Sequence, residues 1–526
     1  MRGAKYAIRW ERALPAISLT QSNREQGSLP QIEFNLSNSI YWHDYETFGV
    51  DPRRDRAAQF AGVRTDEQLN IIGAPLVIYC KPAPDMLPHP ESCLITGITP
   101  QKARAEGLPE AEFIRRIHEE FSRPQSCVAG YNSLRFDDEV TRQLLYRNFS
   151  DPYEREYKNG NSRWDIIDMV RLCCAMRPEG IVWPVKEDGT PGFRLEHLTA
   201  ANGIVHADAH DALSDVLATI ALARLIKDKQ PKLYDYVFQL RDKARVQEQL
   251  DIISKKPVLH VSSMYPSSRG CLALVAPLTK HPIDKNGVIV YDLRTDPAEW
   301  MSLTSEEIRH RLYTRQDQLA EGELRIPLKV LHINRCPVVA PAKMLDERLA
   351  QRYEIDLLKA EEYRQVLLEH PEVIARVASA FDSKPEADTG GAPADPDFMI
   401  YGGGFFGQGD KRAMAQIRAS TAQQLAQWQQ PFVDPRLDEM LFRYRARNFP
   451  ESLNAGETLR WQDFCRQRLL RPADAPGAGV PLSVFVSELA RLRELHADAP
   501  TERLFAELEN YAAEISTLWE RAVPAI

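Results

Sequence analysis

Long apolar segments and paired cysteines are both missing from this sequence. No apolar run approaches the ~20 residues of a membrane-spanning helix, and residues 1–30 have no continuous apolar core that would form a secretory signal. The eight cysteines are scattered without a C-x-x-C pair, which argues against a zinc site and against a disulfide framework. We therefore expect no membrane association and a location in the reducing cytoplasm.

An excess of positive charge is missing as well. The 526 residues carry a formal net charge of -8, which argues against a protein that coats itself with nucleic acid through bulk charge but leaves room for a local basic channel. The apolar content of 44% and the charged content of 27% are typical of a soluble globular protein. At ~100–200 residues per domain, the length predicts about three domains.

An aromatic-rich run at residues 40–49 carries two carboxylates, Asp44 and Glu46, two positions apart. In a β-strand, positions i and i+2 project from the same face, so these side chains would repel each other unless a positive charge lies between them. A divalent cation is the usual solution. The alternative is an edge strand whose outer face simply carries acids, and this stretch alone leaves both interpretations open.

Further elements follow the acidic strand along the chain. Strands at residues 60–65 and 71–80 predict an antiparallel meander with it. A short apolar strand at residues 127–130 then leads through a polar loop to Asp137, at the start of a helix over residues 139–149. Asp137 either favours the positive end of that helix or, placed after a buried strand, is a metal ligand.

A third pattern contains His210 and Asp215 at the start of an apolar helix. The two residues are five positions apart, which is about 140° around a helix, so both cannot point the same way from one regular helix. His210 is therefore expected in the entering loop or the first turn. Alone, the histidine could be structural and Asp215 a solvated acid.

The three patterns together resemble the motifs of the DEDD exonuclease superfamily. D-x-E, N-x-x-x-F-D and H-x-x-x-x-D occur in that order, and a histidine five residues before the last aspartate marks the DEDDh branch. Longer stretches are similar to the bacterial exodeoxyribonuclease I family, at residues 43–49, 94–100, 161–165, 177–181, 193–199, 332–337 and 442–450. The resemblance covers the chain after about residue 36.

This resemblance implies an α/β multidomain architecture. The expected parts are a disordered N-terminal extension without counterpart in the family (1–35), an RNase H-like DEDDh exonuclease domain (36–230), an SH3-like β-barrel domain with inserted helices (231–383), a linker (384–397) and a C-terminal helical domain (398–526).

The resemblance also implies the chemistry of the site. Four carboxylates would hold two cations ~3.5–4 Å apart, which offset the negative charge that develops during phosphodiester hydrolysis; they are Asp44, Glu46, Asp137 and Asp215. Mg²⁺ suits such all-oxygen ligation, and Mn²⁺ could substitute. His210 would take a proton from the attacking water. Glu46 and Arg194 would contact the substrate. A guanidinium such as that of Arg194 suits phosphate.

The implied activity is Mg²⁺-dependent removal of 5′-mononucleotides from the 3′ end of single-stranded DNA, in DNA repair and recombination. Two alternatives remain: a relative that trims RNA, which would use the same motifs, and a non-catalytic single-strand-binding or scaffold protein. The implied partner besides DNA is the acidic C-terminal tail of the single-stranded-DNA-binding protein, which needs a basic rim beside a hydrophobic pocket. We expect a monomer.

Two aromatic stretches bear on how a strand would bind. Three arginines, at positions 443, 445 and 447, alternate with other residues near Tyr444 and Phe449, and a Gly- and Phe-rich run begins at Tyr401. Such mixtures stack unpaired bases and follow a phosphate backbone, and the family resemblance then implies a closed groove made by all three domains, which admits a single strand and excludes a duplex. The alternative is a helix with a basic face and a packed aromatic hinge.

Overall fold

The computed structural model describes residues 38–206, 210–382, 395–470, 477, 479–496 and 499–520. The predicted N-terminal extension and residues 384–394 of the predicted linker lie outside the described residues. The end of that linker forms a 3₁₀ turn at Pro396–Phe398, where Asp395 and Asp397 are buried.

The first sheet is mixed and five-stranded. Its strands are β1 (Ser39–Thr47), β2 (Ala57–Thr65), β3 (Leu76–Tyr79), β4 (Ser126–Gly130) and β5 (Ser162–Asp165). Their order is β3-β2-β1-β4-β5; β2 is antiparallel to both β1 and β3, and β4 is parallel to both β1 and β5. The predicted meander is therefore confirmed, and β1 is the central strand rather than an edge strand.

Two strand boundaries differ from the prediction. Strand β2 begins three residues earlier, at Ala57, and β3 is four residues long instead of ten. Gly73 takes a positive φ of 84° just before Pro75. This turn separates Ile71, which forms an isolated bridge to Thr65, from the paired part of the strand.

Seven helices flank this sheet. They are α1 (Pro90–Thr96), α2 (Pro100–Glu106), α3 (Glu110–Phe121), α4 (Asp137–Arg147), α5 (Ile167–Met176), α6 (Leu195–Ala201) and α7 (Ala212–Lys229). Helix α7 packs against β1 and β2. On the opposite face of β1, Tyr41 and Tyr45 pack with Phe113 and Phe121 of α3. Both faces of β1 are therefore covered.

A second five-stranded sheet follows, antiparallel throughout and ordered β10-β6-β7-β8-β9. This region contains α8 (Pro231–Gln239), α9 (Lys243–Gln249), β6 (Val258–Val261), β7 (Leu272–Lys280), β8 (Gly287–Asp292), α10 (Ser305–Tyr313), β9 (Leu328–His332), β10 (Val338–Pro341), α11 (Glu347–Arg352), α12 (Leu357–Glu369) and α13 (Pro371–Ala380).

The remaining described chain is helical. It contains α14 (Gln408–Ala419), α15 (Ala422–Ala426), α16 (Arg436–Asn448), α17 (Ala455–Leu470), α18 (Leu482–Leu495) and α19 (Ala499–Glu520). Within the described residues, none of the helices combines the length and the apolar character that crossing a membrane requires.

The arginines of α16 are structural, which corrects the interpretation that they line a DNA path. Arg443 donates to Asp395 (2.5 Å) and Asp397 (3.1 Å), and Arg447 donates to Asp397 (2.6 Å) and Asp85 (2.8 Å). A third, Arg445, pairs with Glu457 and Ser452. Tyr444 is buried too, with its ring centre 5.2 Å from that of Phe149. The three arginines form ion pairs inside the protein and Tyr444 packs against another ring, so the alternative of a packed hinge is correct.

Candidate active site

The alternation of β1 places two acids on the face that α7 covers. Ile40 and Trp42 occupy this face in the first half of the strand and are fully buried in the main core. Asp44 and Glu46 continue the same face toward the end of the strand, because side chains two positions apart project alike. Glu46 is buried and Asp44 is partly exposed. The apolar half of the face thus anchors α7 and fixes the helix over the acids.

Asp215 reaches the same place from the first turn of α7. The helix is capped by Asp211, whose carboxylate accepts the backbone N–H of Ser214 (3.2 Å). Carboxylate oxygens of Asp44, Glu46 and Asp215 lie within 4.8 Å of one another. We call these three residues the acid cluster. Three of the four carboxylates implied as metal ligands are therefore brought together by two elements that are far apart in sequence.

Asp137 stands beside the acid cluster but outside that 4.8 Å group. It is the first residue of α4 and is buried, and its Oδ1 accepts the backbone N–H of Tyr45 on β1 (3.1 Å). The loop before it is held by Asp165, which accepts the backbone N–H groups of Asn132 (2.8 Å) and Leu134 (3.2 Å). Burial raises the pKa of Asp165 to about 7.

Burial and mutual repulsion change the protonation of the acids. Burial raises the pKa of Asp44 well above its usual value, and the charges of Asp137 and Glu46 raise it further. Burial and the charge of Asp215 raise the pKa of Glu46 to about 9. Without a cation, the fold therefore favours protonated carboxyls here, and a divalent cation would replace those protons.

Two histidines approach Asp215. His210 directly precedes the cap of α7, outside the helix as expected, with a positive φ of 70°. Its side chain is exposed, and a charge on its ring would lower the pKa of Asp215. His206, which sequence reasoning missed, lies closer: its Nε2 is 2.5 Å from Asp215 Oδ1 and its Nδ1 is 3.2 Å from Thr199 Oγ1. The H-x-x-x-H spacing was the only signal for it.

Arg194 is available to a ligand. It is the N-cap residue of α6, and its side chain is 76% exposed. Among the described residues its one ion pair is with Glu196, at a separation of 3.8 Å. A surface pair of this kind holds a guanidinium weakly, so Arg194 is free to exchange Glu196 for a phosphate.

Three sequence-family models match the chain. They are described as Exonuclease (residues 41–223), Exonuclease I SH3-like domain (241–383) and Exonuclease I C-terminal domain (394–515). The exodeoxyribonuclease I of Escherichia coli (strain K12) is 45% identical over 478 residues, covering 91% of this chain and 98% of that protein.

Solved structures agree with these matches. Exonuclease I from Methylocaldum szegediense is similar with a TM-score of 0.85 and 50% identity, covering 91% of this chain and 99% of the other. E. coli exonuclease I in complex with a dA16 oligonucleotide gives a TM-score of 0.85 and 44% identity, covering 91% and 100%. Further similar structures are a zinc-bound E. coli complex with single-stranded DNA and a structure of SSB/Exonuclease I with an inhibitor.

The central strand of the mixed sheet carries two of the three clustered carboxylates. Together with these matches, that arrangement identifies an exonuclease that depends on divalent metal ions. The chain belongs to the exodeoxyribonuclease I family. The predicted family, enzyme class and fold class, with RNase H-like, SH3-like and C-terminal helical domains, are thereby confirmed.

Proposed function

We propose that the protein is a 3′-to-5′ exonuclease that degrades single-stranded DNA to 5′-mononucleotides in DNA repair and recombination. The observation that carries this proposal is the acid cluster, in which three carboxylates lie within 4.8 Å of one another. Three negative charges this close together destabilise a fold unless a cation binds between them. Groups with pKa values raised in this way are typical of functional sites.

The proposed metal ligands are the acid cluster and the adjacent Asp137, which together would hold two Mg²⁺ ions, with Mn²⁺ as a substitute. Carboxylate oxygens are the ligands that these hard cations prefer. When bound, the ions would offset the negative charge that develops on the phosphate and on the leaving 3′ oxygen. The N–H of Tyr45 fixes one oxygen of Asp137 and so orients this carboxylate from the backbone of β1.

The remaining roles go to exposed side chains around the acids. We propose His210 as the general base, because its exposed ring is close to Asp215 and histidine is the side chain that most often accepts a proton in enzyme reactions. The weakly paired Arg194 would bind a substrate phosphate. Glu46 would contact the terminal nucleotide in addition to the metal.

Single-stranded DNA is the proposed substrate, and the complex of the E. coli enzyme with dA16 supports this choice. The test is a time course on matched DNA and RNA oligomers, labelled at the 3′ or the 5′ end, as single and double strands, with and without Mg²⁺. The test also distinguishes this substrate from the two alternatives that the sequence left open, an RNA-trimming activity and a non-catalytic binding role.

Early release of the 3′ label as a mononucleotide from single-stranded DNA alone is expected. An Asp44→Asn variant, which keeps the shape of the side chain, is the control for contaminating nucleases. Faster degradation of RNA would favour the first alternative. Full binding without any Mg²⁺-dependent product would favour the second.

We further propose that the protein docks the acidic C-terminal tail of the single-stranded-DNA-binding protein, a choice supported by the similar SSB/Exonuclease I structure. An apolar-ended acidic peptide needs a hydrophobic pocket with a basic rim. A pocket of about 430 Å³ between α5 and α8 has this character. Leu172, Leu233 and Tyr236 are among its apolar residues, and the exposed Arg177 and Lys232 lie at its edge.

A labelled tail peptide tests this docking directly. Its affinity is expected to fall as salt rises past ~0.15 M, where the Debye length is ~8 Å, and to fall when the terminal apolar residue is removed. Arg177→Glu is expected to weaken binding, and Arg503→Glu on the exposed face of α19 is the charge-matched control. Equal binding of both peptides, or none at low salt, would remove this partner.

A monomer in the reducing cytoplasm is the proposed working state. All eight cysteines are buried and free, which supports a compartment where disulfides do not form. Light scattering at several protein concentrations would measure the mass directly. A mass near twice 59.8 kDa would contradict the monomer.

A further inference from the structure

His206 touches one carboxylate of the acid cluster, and none of the roles proposed above uses it. Its Nε2 lies 2.5 Å from Oδ1 of Asp215, and its Nδ1 lies 3.2 Å from Oγ1 of Thr199. The imidazole is only 7% exposed, and Thr199 is fully buried. Both ring nitrogens therefore have partners, and the ring is held between α6 and the first turn of α7.

The direction of the contact with Asp215 follows from the chemistry of the two groups. A carboxylate that binds a metal ion is ionised and can only accept hydrogen bonds, so Nε2–H of His206 donates to it. The hydroxyl of Thr199 either donates to Nδ1 or donates within α6, to the carbonyl of Leu195 (2.9 Å) or Glu196 (3.0 Å), and accepts from Nδ1. Both arrangements leave Nε2 as the donor to Asp215.

Burial and pairing distinguish His206 from His210. The side chain of His210 is exposed and precedes the cap of α7, so its ring can approach a water molecule. The ring of His206 is nearly buried and is fixed at both nitrogens. It cannot turn toward an attacking water without leaving buried polar groups unpaired, which is unfavourable. This geometry is typical of a residue that orients a neighbour.

The neighbouring ligand Asp137 shows what such an orienting contact does. One of its oxygens accepts the backbone N–H of Tyr45 (3.1 Å), which fixes the carboxylate in place. His206 supports Asp215 in the same way, but from a side chain. Because a carboxylate has two oxygens, a donor on Oδ1 leaves the other oxygen available to a cation. Hydrogen-bond partners of metal ligands typically change metal affinity or activity by about 10–100-fold.

We propose that His206 is a positioning residue that orients Asp215 for divalent metal binding and joins this ligand to α6. Because Arg194 is the N-cap residue of α6, the same contact connects the helix of the proposed phosphate-binding arginine to a proposed metal ligand. The inference rests on the proposed function, since it assigns a support to one metal ligand of that site.

Two substitutions of His206 separate its two contacts. The amide nitrogen of glutamine can replace Nε2, and that of asparagine can replace Nδ1. His206→Gln is therefore expected to keep the donor to Asp215, whereas His206→Asn is expected to reach only Thr199. Mn²⁺ affinity without DNA is measured from the paramagnetic resonance signal of the free ion. It is expected to fall about 10–100-fold in His206→Asn and to stay close to the wild-type value in His206→Gln.

Turnover of single-stranded DNA gives a second measurement. At low Mg²⁺, kcat of His206→Asn is expected to fall while KM for the strand is unchanged, because Asp215 binds the ions and not the distant nucleotides. Raising the Mg²⁺ concentration is expected to restore most of kcat, since a weakened site fills at a higher concentration. Thr199→Val keeps the shape of the side chain and is expected to lose less Mn²⁺ affinity than His206→Asn, because Nε2 still reaches Asp215.

His370→Asn is the matched control. His370 also pairs with a carboxylate, that of Glu372 at 2.9 Å, but it lies between α12 and α13 of the SH3-like domain. This control is expected to retain the wild-type Mn²⁺ affinity and kcat. Melting temperatures in EDTA check the fold of every variant. If His206→Asn does not fold, Thr199→Val still tests the proposal, and an unchanged Mn²⁺ affinity in it would then overturn the role.

The outcomes separate this role from the proposed function. Equal Mn²⁺ affinity and turnover in the wild type and His206→Asn would overturn the positioning role and leave the exonuclease proposal in place. A loss of kcat in both His206→Asn and His206→Gln with Mn²⁺ affinity intact would mean that His206 itself transfers a proton, and the positioning role would be wrong. Failure of the wild type to bind Mn²⁺ would overturn both proposals.

Discussion

Replacing Asp85 by asparagine tests how the C-terminal helices are held on the exonuclease domain. Asp85 is fully buried in the loop before α1 and accepts three hydrogen bonds from the C-terminal domain. Arg447 donates through Nε (3.0 Å) and Nη2 (2.8 Å), and Arg468 donates through Nη1 (3.0 Å). Arg56 of the exonuclease domain lies 3.9 Å away. Asparagine keeps the shape but removes a negative charge that all three arginines share.

The expected loss follows from the burial of the partners. Side chains of Arg447 and Arg468 are 5% and 2% exposed, and removing one partner of such a buried pair costs about 3–5 kcal/mol. Residues 37–526 form one compact unit of about 490 residues. At ~2.1 cal/mol/K per residue its unfolding entropy is about 1 kcal/mol/K, so the melting temperature is expected to fall by about 3–5 °C.

Thermal unfolding followed by circular dichroism and by tryptophan fluorescence measures this change. Glu514→Gln is the matched control, because the exposed pair between Arg104 and Glu514 also joins the two domains, with side chains 47% and 56% exposed. That control is expected to cost less than about 1 kcal/mol. Equal melting temperatures for Asp85→Asn and Glu514→Gln would refute the reasoning.

The loss of stability in Asp85→Asn is expected to depend on pH. Burial alone would raise the pKa of Asp85, but Arg447, Arg468 and Arg56 together lower it well below its usual range. A carboxyl with a lowered pKa contributes stability above its unfolded pKa of ~3.9 and loses it as the pH falls. The difference between wild type and Asp85→Asn is therefore expected to shrink below about pH 4.

Three predictions concern the site. Asp44→Ala and Asp215→Ala are each expected to abolish cleavage and to leave strand binding largely intact, because each removes one carboxylate that would bind the metal but little of the DNA-binding groove. Near-normal turnover in either variant would contradict the assignment of these metal ligands. His210→Ala is expected to lower kcat at neutral pH by about 10²–10⁴-fold while metal binding, measured by calorimetry, is retained; lost metal binding would show that the role is wrong. Because raised pKa values at Asp44 and Glu46 remove stability as pH rises from ~4 toward 9, the rise in melting temperature caused by Mg²⁺ is expected to be larger at pH 9 than at pH 6. Equal rises would mean that Mg²⁺ does not displace these protons.

Local patterns predicted the acidic strand β1, because the alternation that aligns its two acids is a property of neighbouring residues alone. Alternation alone places Asp44 and Glu46 on one face, and helix geometry alone excludes His210 from the helix of Asp215. Both features are present in the structure.

Contacts between residues far apart in the sequence explain why the α16 arginines were misinterpreted and why His206 was missed. The spacing of the α16 arginines is the same whether they face DNA or acids, and Arg447 finds Asp85 across 362 positions. The contact of His206 with Asp215 depends on a loop conformation that spacing does not encode. One cavity is lined by residues at positions 53, 135, 335 and 401, which no local stretch of sequence contains.

Two adjacent aspartates of the site, Asp137 and Asp138, differ in whether an arginine neutralises them. Asp138 accepts hydrogen bonds from Arg155 (2.7 Å) and Arg163 (2.6 Å), which hold its pKa well below the usual range despite burial. Burial instead raises the pKa of Asp137, which has no cationic partner among the described residues. The fold thus uses its arginines to neutralise Asp138 and leaves Asp137 without a cation, as the proposed role of Asp137 as a metal ligand requires.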